Sequence, residues 1–202
     1  EGREDLRRRA LALAYYGNDD PQADAMLARV YDDFTTFAAR AADRFGLLRP
    51  AGISTFGRQI DWVKHRQATP SGHRKGDVLA GNLSPTPGTD RLGPTAVIKS
   101  HCALDFSRLP NGTVLDLKIL PATLRGEAGL ASLVALMRAF VNLGGIFLHV
   151  DVVDGAQLRE AQAHPERFPN LAVRCSGWSA RFATLSRAWQ DMVIQRTEQA
   201  VR

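Results

Sequence analysis

The sequence predicts an α/β fold, and three observations carry that prediction. Its second half alternates short apolar runs with amphipathic helical periodicity, strand then helix, three times over. Turn chemistry separates the runs, as at Asn111-Gly112 and Gly144-Gly145. The composition is that of a soluble globular chain: 202 residues, 45% hydrophobic and 23% charged, enough for one domain.

The elements follow in order. A helix is expected from about Leu6 to Tyr16, stopped by Gly17-Asn18-Asp19-Asp20-Pro21. A second runs from Pro21 to Phe45, with Pro21 in its first turn and Met26, Val30, Phe34 and Phe37 as a buried stripe. Tyr31, Phe34 and Phe37 are more often core packing than a cofactor box. From Leu48 to Gly93 the chain turns to Gly, Pro, Ser and Thr, with one strand expected within Ile53–Val63 and long loops of the kind that are functional or disordered. A linker between two domains is the plain alternative, against which Val78, Leu79 and Leu83 interrupt the stretch. Pro94 opens a short helix over Thr95–Ser100. Thr113–Leu120 reads as a strand, with Leu115, Leu117 and Ile119 on one face and Asp116 and Lys118 on the other.

A strong helix covers about Glu127–Leu143, with Leu130, Leu133, Val134, Met137, Phe140 and Val141 expected inside. Ile146–Val153 is a strand carrying His149 and Asp151 on one face, and Ala156–Ala163 is a helix. Leu171–Arg174 is the last strand; it reaches Cys175-Ser176-Gly177 and leaves through Trp178 toward a helix that starts after Ser186, with Trp189, Met192 and Val193 facing inward.

Several chemistries find no support. Phosphate-loop, dinucleotide and nucleophile-elbow patterns are absent, and the two cysteines and five histidines have no metal-ligand spacing. The formal charge of +5 is spread along the chain, with only Arg7-Arg8-Arg9 clustered, which argues against nucleic acid. No run approaches the roughly 20 apolar residues of a membrane helix and no signal-peptide pattern opens the chain, so cytoplasm is the expected compartment. Asp116 with Lys118, and His149 with Asp151, could each be a functional pair, although satisfied structural pairs are commoner. Cys102 reads as a small apolar filler.

Arg174-Cys175-Ser176-Gly177-Trp178-Ser179-Ala180-Arg181-Phe182 resembles the C-terminal signature of the glycyl radical enzymes, whose usual form is Arg-Val-Ser/Ala-Gly-Tyr followed by Ser-Ala and an aromatic. Further stretches resemble landmarks of that family, in its order. They are Tyr16-Gly17-Asn18-Asp19, Ala68-Thr69-Pro70-Ser71-Gly72-His73-Arg74, Ser84-Pro85, Gly88-Thr89-Asp90 and Gly93-Pro94-Thr95-Ala96-Val97-Ile98-Lys99-Ser100. Asn111-Gly112-Thr113, Leu158 to Gln162 with His164-Pro165-Glu166, and Gln195-Arg196-Thr197-Glu198 complete the set.

The resemblance implies the C-terminal portion of a ten-stranded α/β barrel, spanning 1–202, with the glycyl radical domain proper from about 80 to 202. Gly177 is the implied radical site, and Arg174, Cys175, Ser176 and Trp178 support its loop. A radical on a glycine Cα is stabilised by the amide nitrogen and the carbonyl beside it when all lie in one plane, which a side chain would obstruct. By resemblance, a separate radical-SAM activating enzyme, carrying S-adenosylmethionine and an iron–sulfur cluster, generates the radical anaerobically. The radical then passes to a thiyl cysteine.

The chain departs from the pattern at Cys175, at Trp178, and where the family's Gln-x-Asn is His149-x-Asp151. Neither Cys102 nor Cys175 matches the family's Gly-Cys-x-Glu-type loop. The expectation is therefore a fragment, or a small subunit, of an oxygen-sensitive, pyruvate formate-lyase-like enzyme. The rest of that enzyme, an activase and an oligomeric assembly are its implied partners; no metal in the chain itself, no nucleic acid and no membrane are implied. The Gly93–Val97 segment is closer to the dehydratase and lyase branch, which cleaves C–O, C–N or C–S bonds. Arylacetate decarboxylases, fumarate-adding synthases and a non-catalytic spare-part module are the alternatives.

Overall fold

The computed structural model describes residues 3–46, 49–55, 62–175 and 178–199, with 42–45, 196, 198 and 199 described for backbone alone. Helix α1 spans Glu4–Leu11 and α2 spans Pro21–Phe45. The first is shorter than its periodicity implies, because residues 12–16 leave it to reach the polar network described below. Asp20 starts α2: its Oδ1 accepts from the backbone N–H groups of Gln22 and Ala23 at 2.9 and 3.0 Å, which would otherwise be unsatisfied. Helix α3, Gly93–Cys102, has Pro94 in its first turn as expected.

Strand β1, Leu115–Lys118, passes through α4, Gly126–Asn142, to β2, Leu148–Asp151, which lies parallel beside it. This β–α–β unit packs one sheet face on α3 and α4 through Val97, Ile98, Leu115, Leu117, Ile119 and Phe140. Helix α5, Gly155–Ala163, follows, started by Asp154, whose side chain accepts from Gln157 N–H at 2.6 Å. Strands β3, Ala172–Arg174, and β4, Ser179–Arg181, form an antiparallel hairpin ahead of α6, Arg187–Gln199. Among the described residues the sheets are two-stranded, and the fold is mixed α/β.

Four expectations change. The strand expected within Ile53–Val63 is a single parallel bridge from Ile53 to Thr113; residues 56–61 lie outside the described residues. The chain does not leave Trp178 directly into a helix but returns first as β4. In α2, Tyr31 is buried as expected, but Met26, Val30, Phe34 and Phe37 are exposed. In α4, Leu130, Val134, Met137 and Val141 are exposed, while Leu133, Leu136 and Phe140 pack on the sheet. Helical periodicity was right in both cases, but it does not say which of two apolar flanks meets the core: the β1–β2 sheet for α4, and Ala51, Leu83, Leu104, Phe106 and Leu109 for α2.

Candidate active site

The C-terminal hairpin is anchored from below. Val173, Cys175 and Phe182 enter one core with Val153, with Leu158 and Ala161 of α5, and with Met192, Val193 and Ile194 of α6. Cys175 and Phe182 have no solvent-exposed area at all. Alternation along β3 and the return strand places these residues on one face, as a half-buried ribbon requires. The ladder runs Ala172 to Arg181, Val173 to Ala180, and Arg174 to Ser179. One step further, Cys175 N–H donates to the Trp178 carbonyl at 2.9 Å. Ser176 and Gly177, between those partners in the chain, lie outside the described residues.

Three of the four residues expected to support the glycine therefore have a described setting. Arg174 Nη1 donates to Ser179 Oγ across the hairpin at 3.4 Å. Cys175 is buried beneath it. Trp178, half-exposed, meets the Trp189 ring of α6 edge-on, with centroids 5.6 Å apart.

Several of the landmark stretches are gathered into one network next to α3. Tyr16 Oη donates to the Leu83 carbonyl at 3.0 Å and meets His101 Nδ1 at 3.2 Å. Asn18 Nδ2 donates to the Thr89 carbonyl at 2.7 Å, and its Oδ1 accepts from Arg91 N–H at 2.7 Å. Asp19 N–H donates to Ser100 Oγ at 2.9 Å, and its carboxylate pairs with Lys99. Residues 16–19 thus fasten residues 83–100 in place, which is a scaffolding role.

The other face of the β1–β2 sheet carries the ionisable residues. Register places Asp116 opposite His149 and Lys118 opposite Asp151. His149 Nδ1 lies 3.2 Å from Asp116 Oδ1, and His149 Nε2 lies 3.5 Å from Asp151 Oδ1. Lys118 Nζ donates to Thr197 Oγ1 of α6 at 3.2 Å. The expected pair of His149 and Asp151 is real, but the shorter contact is across the strands to Asp116, a pairing that only register reveals. Asp90, near Lys118, has its carboxyl pushed upward by burial.

Cys102 packs against the core beneath α4, and burial raises its thiol. No group of His, Cys, Asp and Glu among the described residues is arranged to hold a metal ion. No described helix is long and apolar enough to cross a membrane. A cleft of about 810 Å³ lies between α1 and residues 67–75, and neither the hairpin nor the ladder lines it.

A family model described as glycine radical matches residues 79–183, more than half of the chain. This chain belongs to the glycyl radical enzyme family. Within it the similarity is to the dehydratase and lyase branch. The chain is 36% identical over 203 residues to the probable dehydratase YbiW of Escherichia coli, covering 96% of this chain and 25% of that protein. It is 35% identical to trans-4-hydroxy-L-proline dehydratase of Clostridioides difficile, covering 91% of this chain and 23% of that one.

The B12-independent glycerol dehydratase of Clostridium butyricum, solved in its glycerol-bound form, superposes with a TM-score of 0.87 at 29% identity, over 96% of this chain and 25% of that one. The chain therefore spans about a quarter of the length of the relatives it matches.

Proposed function

We propose that this chain is the radical-bearing part of a glycyl radical lyase, with Gly177 as the radical site. The observation that carries the reading is the hairpin. The signature segment is an antiparallel ribbon whose closing contact, Cys175 N–H to the Trp178 carbonyl, brackets Ser176 and Gly177 and stands on a fully buried Cys175 and Phe182. A hairpin seated in the core suits a segment that stores a radical, and a glycine alone tolerates the planar arrangement that delocalises it.

In this reading an activating enzyme of the radical-SAM class removes a hydrogen atom from the Gly177 Cα. S-adenosylmethionine and the iron–sulfur cluster belong to that partner. The radical passes to a cysteine outside this chain, which then attacks the substrate. Neither Cys102, a core filler, nor Cys175, walled in beneath the hairpin, is that cysteine. The remainder of the enzyme completes a ten-stranded α/β barrel, residues from about 80 to 202 form the radical domain proper, and the assembly works anaerobically in the cytoplasm.

The reaction is cleavage of a C–O, C–N or C–S bond. This is supported by the dehydratases among the relatives and by isethionate sulfite-lyase of Bilophila wadsworthia, 31% identical over 98% of this chain. A decarboxylase is the second reading, favoured by 34% identity to indoleacetate decarboxylase of Tractidigestivibacter scatoligenes.

Anaerobic incubation with an activating enzyme and reductant should give a doublet in the electron paramagnetic resonance spectrum. The doublet should vanish in Gly177→Ala. A wild-type protein without it, or a variant that keeps it, would overturn the assignment.

A further inference from the structure

The arginine cluster at residues 7–9 and the stretch from Ala68 to Arg74 have no part in holding a radical, yet the fold brings them together. The turn of α1 separates the clustered arginines. Arg3 and Arg7, four residues apart, share a face and line the cleft of about 810 Å³, whereas Arg8 and Arg9 are exposed and do not line it.

The opposite wall is the loop of residues 67–75, which is fastened in place by its own hydrogen bonds. Thr69 N–H donates to the His73 carbonyl at 2.9 Å, Gly72 N–H to the Thr69 carbonyl at 3.1 Å, and His73 N–H to Thr69 Oγ1 at 3.2 Å. Arg74 N–H donates to Asp77 Oδ2 at 2.6 Å. Tyr15 Oη donates to the Ser71 carbonyl at 2.9 Å and ties the loop to the segment after α1. Gly72, at φ +91°, lets the loop come close to the helix: a Cβ there would lie 3.0 Å from Leu11 Cγ and 3.3 Å from the Arg7 carbonyl oxygen. Two fixed walls and this volume are what a preformed small-molecule site has.

The charge of the cleft is one-sided. Arg3, Arg7, Arg74 and Lys75 line it against a single carboxylate, Glu4. Glu4 Oε1 lies 2.7 Å from Arg7 Nη1 and 3.4 Å from Arg74 Nη2, so it draws one guanidinium from each wall toward the other. Arg7 Nε is enclosed and has no hydrogen-bond partner among the described residues, which leaves that arginine with donor capacity unspent. Burial pulls the pKa of His73 below its usual value, so at neutral pH the ring adds no charge but still offers an N–H. Leu6, Ala68 and Pro70 supply the apolar part of the lining.

We propose that this cleft binds a phosphate-bearing small molecule of nucleotide size, its phosphates between Arg7 and Arg74 and its apolar body against Leu6 and Pro70. Guanidinium groups on two facing walls match the many oxygens of a di- or triphosphate, which each can bind in bidentate fashion. An acidic peptide offers only single carboxylates spaced along its chain, and it would use a longer groove. The assignment stands without the radical reading, since neither the hairpin nor the β1–β2 ladder lines the cleft.

The test uses the chain together with the remainder of the enzyme, titrated calorimetrically with ATP, pyrophosphate, adenosine and citrate; no activation is needed. ATP should bind saturably at a single site, more tightly than pyrophosphate, and adenosine and citrate at least about 10-fold more weakly than pyrophosphate. Arg7→Gln with Arg74→Gln should weaken ATP binding about 10-fold or more, the range for loss of charge-assisted hydrogen bonds. Arg8→Gln with Arg9→Gln removes the same charge beside the cleft and should shift affinity by no more than about threefold.

No saturable binding of ATP or pyrophosphate to the wild type overturns the proposal, as it would if an acidic segment of the remainder filled the cleft. Equal losses in the two double variants overturn it too, because they would mark general attraction to a basic surface. Citrate binding as tightly as pyrophosphate would make the site one for carboxylates, and pyrophosphate binding as tightly as ATP would remove the nucleotide-sized body.

Discussion

Gly17 shows how much one residue can hold. It sits at φ +94°, and a Cβ there would lie 2.3 Å from Pro85 Cγ, closer than any real contact. Gly76, at φ +87°, has nothing within 4 Å of the same imagined atom. Gly76→Ala should therefore cost only the backbone strain, about 1 kcal/mol, and Gly17→Ala the strain plus a clash, about 2–4 kcal/mol. Equilibrium denaturation of the two variants side by side checks the difference. The sequence marks Gly17 as a helix stop, but the helix has already ended at Leu11, and Gly17 lies in the turn that leads to α2. Its second role, letting Pro85 approach, depends on a segment far along the chain and has no local signature.

At the scale of elements, α3 is tied to the loops around it through a buried imidazole. His101 is wholly enclosed, its ring 4.8 Å from that of Phe106 and 6.1 Å from that of Phe140. Burial pulls its pKa down from 6.5 to about 4. The unfolded chain therefore binds more protons than the folded one between those values. Stability contributed by the neutral ring is complete above pH 6.5 and is lost as pH falls toward 4, by about 3 kcal/mol in total.

Asp24 works in the opposite sense, since burial raises its carboxyl despite the hydrogen bond from Ser100. Melting temperature should fall on acidification from pH 7 to 4.5, and the fall should be smaller in His101→Gln than in wild type. Equal slopes in the two would refute the account. The same scale explains the misplaced stripe of α4. Leu130, Leu133, Val134, Leu136, Met137, Phe140 and Val141 make its apolar surface too broad for one sheet face, so the pattern identifies a helix and leaves its orientation open.

Across the whole molecule, apolar surface remains after the three cores are filled. Phe37 is 73% exposed and Met26 60% on α2, and Val141 is 68% exposed and Leu130 60% on α4. The described sheets are also only two-stranded, and short sheets of this kind invite further strands. By itself the chain should self-associate or require the remainder of the enzyme, as seen by size-exclusion chromatography with light scattering. Leu130→Glu with Val141→Glu should reduce self-association while shifting stability by no more than about 0.5 kcal/mol, the range for surface positions. A monodisperse wild-type monomer with one cooperative unfolding transition would contradict this.

The sequence by itself determined the α/β class, the bounds of α2, the two faces of β1 and the glycine signature. Each depends on neighbours within a few residues, where periodicity and turn chemistry act. Only the tertiary structure decided that the chain beyond Trp178 returns as a strand, that residues 16–19 bind residues 83–100, and that His149 answers to Asp116 across the sheet. Those facts rest on register and on contacts between distant segments, which are settled when the chain closes on itself and leave no trace in local pattern.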